Sequence, residues 1–377
     1  MQITVNRRTA IKGLAGLGIA AAGMGLLAGS HEGTPVALAE AEAKATRTVT
    51  DLVGNEVEIP ETVESVIITS WKGAMECFIL LGRIDLIKGM SDTKRYEWLR
   101  KIYPELENIP NYGSFDDINV EEILQANPDI VFAPKAAPDS VEKMKEIGLT
   151  VFVDGASGKG DPYEGFMDEV AVIGEITGNT EKADAWVAWQ QKWHDEVLKR
   201  VADVAEADRK TALCMRNSTT EVFNNQNILG QSVVNAGGVN VAAEAFTENF
   251  YSEVDAEALV GWNPDFIFQY RVGNTSEELI ARYGEMKNDE RFANLDAIKN
   301  GNFYLMPYGM TNWGGKIESA LGELTMGKIM YPELFADISL KEVAEDYYKT
   351  FLDRDLDEED WKTIAPNAEG ANELPMD

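Results

Sequence analysis

From Thr48 onward the apolar positions of the chain change period repeatedly, and each change marks an element. The run Val49-Thr50-Asp51-Leu52-Val53-Gly54-Asn55-Glu56-Val57-Glu58-Ile59-Pro60 alternates apolar and polar residues about Gly54-Asn55, which predicts a short β-hairpin. Short apolar runs at 66–70, 84–90, 149–153, 211–215 and 303–306 read as buried strands, with a further strand at 221–223. Helical spacing fills the gaps at 74–81, 139–147, 276–284 and 316–330, and this alternation of strand and helix predicts parallel sheets. From 163 to about 204 helical spacing persists, broken only at Gly178-Asn179. In its second part Trp186, Trp189, Trp193 and Val197 form a stripe, which predicts an apolar face packed on both sides of the molecule rather than a ligand face. A helix of about 25 residues spans over ~35 Å at 1.5 Å per residue, enough for a rigid bridge. An amphipathic helix at 340–352 closes the pattern, and the acidic stretch after Asp353 reads as a mobile tail.

One segment occurs twice. Glu121-Glu-Ile-Leu-Gln-Ala-Asn-Pro-Asp-Ile-Val-Phe132 returns as Glu257-Ala-Leu-Val-Gly-Trp-Asn-Pro-Asp-Phe-Ile-Phe268, at an offset of 136 residues. In each copy Asn119 or Asp255 is placed to cap a short helix, the Pro ends it, and the run after the Asp reads as a buried strand. The expected architecture is therefore α/β: two similar lobes with mainly parallel sheets, bridged by one long α-helix, with a ligand cleft between the lobes. The boundaries drawn are 48–176 for the first lobe, 179–205 for the bridge, 209–352 for the second lobe and 353–377 for the tail.

Residues 1–39 have the pattern of a targeting segment. Asn6-Arg7-Arg8-Thr9-Ala10-Ile11-Lys12 precedes an uncharged run and the small residues Ala37-Leu38-Ala39, matching a twin-arginine export signal. The expected location is the periplasm or outer cell surface; the alternative is retention by an uncleaved signal anchor. The formal net charge of −30 disfavours nucleic acid and anionic lipid as partners. Cys77 and Cys214 fall in opposite halves and read as buried, unbridged thiols.

Strand ends are where such folds hold ligands. Lys135 stands three residues after Phe132 and Arg271 three after Phe268, so a cation occupies the same repeat position twice, and Lys72 and Arg216 also follow strands. With Trp71, Tyr112, Tyr270, Tyr308 and Trp313 they form the expected binding set, in which cations meet anionic oxygens and aromatics cover a flat body. Catalytic machinery is not read from the chain. His31 lies in the leader, His194 beside Trp193 reads as packed or solvated, and no nucleophile elbow or phosphate loop is present. Asp353-x-Asp355-x-Asp357 begins like a calcium loop, but Glu358 stands where the turn glycine belongs.

Four motifs in order resemble the substrate-binding proteins of ABC importers for ferric siderophores, haem and cobalamin. They are Asp51-x-x-Gly54-x-x-Val57-x-Ile59-Pro60, Asn119-Val-Glu121-Glu-Ile-x-x-x-Asn-Pro-Asp129, Ala236-Gly237-Gly238-x-Asn240-Val-Ala242 and Tyr331-Pro-Glu-x-Phe335-x-Asp337-Ile-x-Leu340. The resemblance implies a monomeric receptor that performs no chemistry, needs no cofactor and hands a metal chelate to an ABC permease with ATPase subunits. It also implies that Glu121 and Glu257 dock on that permease, and that Tyr112, Tyr270 or Tyr308 would serve as ligands if the solute were haem. The paired cations favour an anionic ferric siderophore, with haem or cobalamin as the alternative. A twin-arginine-exported envelope enzyme and a surface adhesin are the other classes considered.

Overall fold

The computed structural model describes residues 45–70, 74–91, 97–114, 117–155, 162–246, 249–270, 276–365 and 373–377. The expected leader at 1–39 lies outside them, as do Trp71, Lys72 and Arg271. The predicted hairpin is formed by β1 (Thr46–Thr50) and β2 (Glu56–Pro60), paired antiparallel. Asp51 holds its turn: its carboxylate accepts from the amides of Val53 and Asn55 at 3.1 and 2.7 Å, and Gly54 takes φ +93°.

The first sheet contains β3 (Val66–Ile68), β4 (Ile87–Met90), β7 (Ile130–Pro134) and β8 (Val151–Asp154), all parallel in the order β4-β3-β7-β8. The apolar run at 84–90 is strand only from Ile87, because residues 84–86 form a 3₁₀ turn. Between these strands lie α1 (Ala74–Leu80), α2 (Glu97–Ile102), the small ladder β5 (Gly113–Ser114) with β6 (Asp117–Ile118), α3 (Val120–Ala126) and α4 (Pro138–Glu146). Helices α5 (Pro162–Thr177) and α6 (Thr180–Val201) follow, separated at Gly178-Asn179 as the sequence predicts.

The second sheet runs β12-β10-β9-β13-β14, with β11 also paired to β9. Its members are β9 (Thr211–Met215), β10 (Glu221–Phe223), β11 (Val239–Asn240), β12 (Tyr251–Glu253), β13 (Phe266–Gln269) and β14 (Phe303–Leu305). Strands β9, β11, β13 and β14 are parallel, whereas β10 and β12 are antiparallel additions at one edge. The helices of this half are α7 (Ile228–Asn235), α8 (Ala256–Trp262), α9 (Ser276–Asn288), α10 (Asp296–Lys299), α11 (Ser319–Met330), α12 (Leu340–Leu352) and α13 (Glu358–Ile364).

The repeated Asn-Pro-Asp does three jobs in each half. Asn127 and Asn263 close α3 and α8 in the left-handed conformation, at φ 48° and 42°, and the Pro blocks further helix. The Asp then clamps the start of the neighbouring strand. Asp129 accepts from the amides of Glu64 and Ser65 at 2.8 and 2.9 Å, and Asp265 accepts from the amide and hydroxyl of Thr211, both at 2.9 Å. At the helix starts the copies differ: Asn119 accepts from the Glu122 amide at 3.2 Å, whereas Asp255 occupies the cap position without a side-chain bond.

Helix α6 buries Trp186, Trp189 and Val197, with Trp193 half-buried. Its polar groups lock onto the second half: Trp186 and Gln190 both donate to the Ile317 carbonyl, and Gln190 accepts from the Ala320 amide at 3.0 Å. His194 is packed, as expected of a non-catalytic histidine. It stacks on Tyr163 with centroids 4.1 Å apart and meets the buried Glu323 at 2.7 Å. Cys77 and Cys214 are both free and buried.

The expectation of a mobile tail is corrected by the described part of that segment. Asp353 caps α12 in the left-handed conformation, and Asp357 and Asp360 form a reciprocal capping box that starts α13. Asp360 is fully buried, where it accepts from Arg354 at 2.7 Å and from the Trp98 indole at 3.1 Å. The segment is acidic, but one of its acids is paired with Arg354 inside the protein.

Candidate functional site

In the first sheet the chain leaves β3 toward β4 on one side and later reaches β7 on the other. The carboxyl ends of β3 and β7 are therefore its topological switch point. There the amide and hydroxyl of Thr69 both donate to the Phe132 carbonyl, at 2.8 and 3.0 Å. The second sheet repeats the arrangement between β9 and β13, where the Tyr270 amide donates to the Met215 carbonyl at 2.9 Å. Trp71 and Lys72 directly follow the first point in sequence and Arg271 the second, all three outside the described residues.

Beside the first switch point a charged cluster joins the halves. Lys316, at the start of the 3₁₀ turn that leads into α11, lies 3.1 and 3.2 Å from the two carboxylate oxygens of Glu169 on α5. Glu169 is almost wholly buried, and Lys316 adopts φ +34°, a conformation unfavourable for a residue with a Cβ. Burial works against the Lys316 charge, but Glu169 and Glu76 outweigh it and hold the ammonium above its ordinary range. Asp154, which ends β8, is pushed up to about 6 by burial and then by the Glu169 charge, with Lys316 acting in the opposite sense. Glu318 nearby in sequence is fully buried and accepts from the amides of Met310 and Thr311 at 3.0 and 2.8 Å; burial raises its carboxyl to about 7. Sequence reasoning missed this cluster. Its signal was present: Glu76 is the one charged residue in the apolar helix α1, and Asp154 ends an otherwise apolar strand.

The described members of the expected binding set do not all converge. Arg216 is internally paired, 2.6 Å from Glu221 and stacked 4.0 Å from the Tyr251 ring centroid. Lys135 is exposed and lines a hollow of about 480 Å³ with Val53, Pro138 and Glu142, along α4. Tyr112 is half-buried, its ring against Gly89, where any Cβ would collide with it at 2.1 Å. Tyr270, Tyr308 and Trp313 are buried in the second half. The Trp313 indole donates to the Tyr348 hydroxyl at 3.0 Å, and the Tyr308 amide donates to the Ile364 carbonyl at 2.6 Å. The expected aromatic surface is thus partly core. Tyr270 is the exception in chemistry, because its hydroxyl is buried without a hydrogen-bond partner among the described residues. Glu121 and Glu257 are exposed in the first turns of α3 and α8, so each half presents a carboxylate at the matched position.

Two α/β halves with switch points at their strand ends, joined by a single long helix, define the class of solute-binding folds. The periplasmic binding protein family model matches residues 66–308, and the chain belongs to that family. Its relatives include the molybdate-binding protein MolA of Haemophilus influenzae, 26% identical over 333 residues that cover 82% of this chain and 92% of that protein. Another is the iron(3+)-hydroxamate-binding protein YxeB of Bacillus subtilis, 24% identical over 53% of this chain and 61% of its own length. Among solved structures, molybdate-bound MolA superposes with a TM-score of 0.73 at 22% identity, covering 82% of this chain and 99% of that one. A periplasmic solute-binding protein of Veillonella parvula gives 0.72 at 22% identity, covering 85% and 97%. The relatives are solute-binding proteins and not enzymes, and the family places the chain outside the cytoplasm as the receptor of an importer. No helix among the described residues is long and apolar enough to cross a membrane.

Proposed function

We propose that this receptor captures a small metal-bearing anion between the strand ends of its two halves and delivers it, as a monomer, to an ABC permease with ATPase subunits. Trp71, Lys72 and Arg271 are the contacts proposed, because they follow the two switch points directly. The observation that carries the reading is the likeness to a molybdate-binding protein over 82% of this chain and 92% of that protein. The burial of Tyr270, Tyr308 and Trp313 supports the same choice, since it leaves less aromatic surface for a broad chelate. A molybdate-type oxoanion is therefore favoured over the anionic ferric siderophore expected from sequence, and over haem or cobalamin. Export by the twin-arginine leader and docking through Glu121 and Glu257 belong to the same proposal.

Isothermal titration of residues 40–377 with molybdate, tungstate, sulfate, a ferric hydroxamate, haemin and cobalamin tests it. Saturable binding of molybdate or tungstate, weakened at least about tenfold (about 1.4 kcal/mol) in Arg271→Ala, is the expected result. Binding of the ferric hydroxamate in preference would return the reading to siderophore uptake, and indifference to Arg271→Ala would remove that cation from the site.

A further inference from the structure

Large apolar side chains left in water on a soluble protein acquire meaning when they recur by rule. Leu124 on α3 is 42% exposed and Val260 on α8 is 44% exposed, and the two are separated by the same 136 residues as the repeat. Each lies three residues after the matched glutamate, Glu121 or Glu257, and residues three apart in a helix are neighbours on one face. The adjoining positions behave as a helix face should: Ile123 and Leu259 are fully buried. Among the described residues, the other exposed large apolar ones, Ile147, Leu198, Val239 and Phe250, have no exposed large apolar counterpart at that offset.

The backbone frames beneath the two pairs also agree. Both helices end at a left-handed asparagine and are followed by an aspartate clamped to the start of the neighbouring strand in the sheet. The two halves therefore hold a like acid-and-aliphatic pair on helices braced alike at their carboxyl ends, although only α3 is also capped by a side chain at its start.

We infer that each half docks through a two-part contact, Glu121 with Leu124 and Glu257 with Val260, against a membrane partner built of two like subunits. Each subunit would present a basic side chain beside an apolar recess. The inference rests on the reading of the protein as an importer's receptor and assigns the aliphatic half of its docking surface. A duplicated contact on one chain fits a partner with twofold symmetry, because each copy then meets an equivalent surface. The strongly acidic character of the chain, at net −30, favours a basic partner and speeds the encounter. The carboxylate steers and sets register, whereas the aliphatic side chain supplies burial that salt does not screen.

The test uses the host's own permease–ATPase complex in lipid nanodiscs, titrated with the full-length mature receptor and read by ATPase stimulation. The variants are Leu124→Gln with Val260→Gln, Glu121→Gln with Glu257→Gln, and Ile147→Gln as a control. The expected result is a loss of apparent affinity of about tenfold for the aliphatic pair, persisting at about 0.5 M salt, where surface charges are largely screened, and no change for the control. Unchanged melting temperatures exclude unfolding as the cause. Loss with the glutamate pair but not with the aliphatic pair overturns the inference and leaves the receptor reading intact. Failure of the wild-type protein to stimulate the complex at any concentration overturns both.

Discussion

Asp360→Asn is the substitution that most directly tests the ordered C-terminal segment. The Asp360 carboxylate is fully buried and accepts from Arg354 at 2.7, 2.8 and 3.0 Å, from the Trp98 indole at 3.1 Å and from the Asp357 amide at 3.2 Å. Asparagine has nearly the same shape, but it replaces one acceptor oxygen by a donor and removes the charge. The Arg354 side chain is 34% exposed, so water recovers part of its loss. Counting one charged hydrogen bond at about 2 kcal/mol and the indole bond at about 1 kcal/mol gives a destabilisation of about 3 kcal/mol. The compact unit runs from Lys44 to Asp377, and at about 2.1 cal/mol/K per residue this corresponds to a fall of roughly 4 °C in Tm. Calorimetry measures that fall, and hydrogen exchange locates it. Exchange should rise around Trp98 on α2 and at the Tyr308 amide, which donates to Ile364, because α13 touches both. A Tm within 1 °C of wild type (about 1 kcal/mol or less), with unchanged exchange at both places, would mean that the tail carries no load.

Three further outcomes are expected. Lys316→Met leaves Glu169 buried without its cation, which should cost about 3 kcal/mol or more in urea unfolding at pH 7; a loss under 1 kcal/mol (~1) would show the pair to be dispensable. Asp154 has a folded-state pKa raised to about 6, above its ordinary value of 3.8, so its contribution is fully present below about 3.8 and is lost as pH rises through about 6. Asp154→Asn should therefore gain stability relative to wild type between pH 4 and pH 7, by up to about 3 kcal/mol, and parallel pH profiles of the two proteins would refute the assignment. Asp129→Ala and Asp265→Ala should each destabilise by about 2 kcal/mol through lost bonds to neighbouring strand starts, the former more because it also releases a second backbone amide; a neutral Asp265→Ala would break the equivalence of the two halves.

Much of the architecture is legible in the sequence because its signals are local. Period-2 alternation gives the β1–β2 hairpin, apolar runs give β3 and β9, and the 136-residue repeat gives two similar halves. Gly178-Asn179 divides α5 from α6 as the break in helical spacing predicts. Each of these follows from neighbours within a few residues, where backbone sterics and side-chain period act. Tertiary structure alone decided the partners of charged and aromatic groups. Arg216 follows a strand, but whether it meets a ligand or Glu221 depends on how β10 folds back beside β9. Trp313 and Tyr308 look like cleft aromatics until α12 and α13 cover them. The tail reads as too acidic to pack because composition averages over Asp360, whose charge is balanced by Arg354 in a site that exists only when Trp98, distant in sequence, closes over it. Chain-local propensity specifies elements. The energy of a buried charge depends on which groups lie within a few ångströms in space, and sequence separation does not report that.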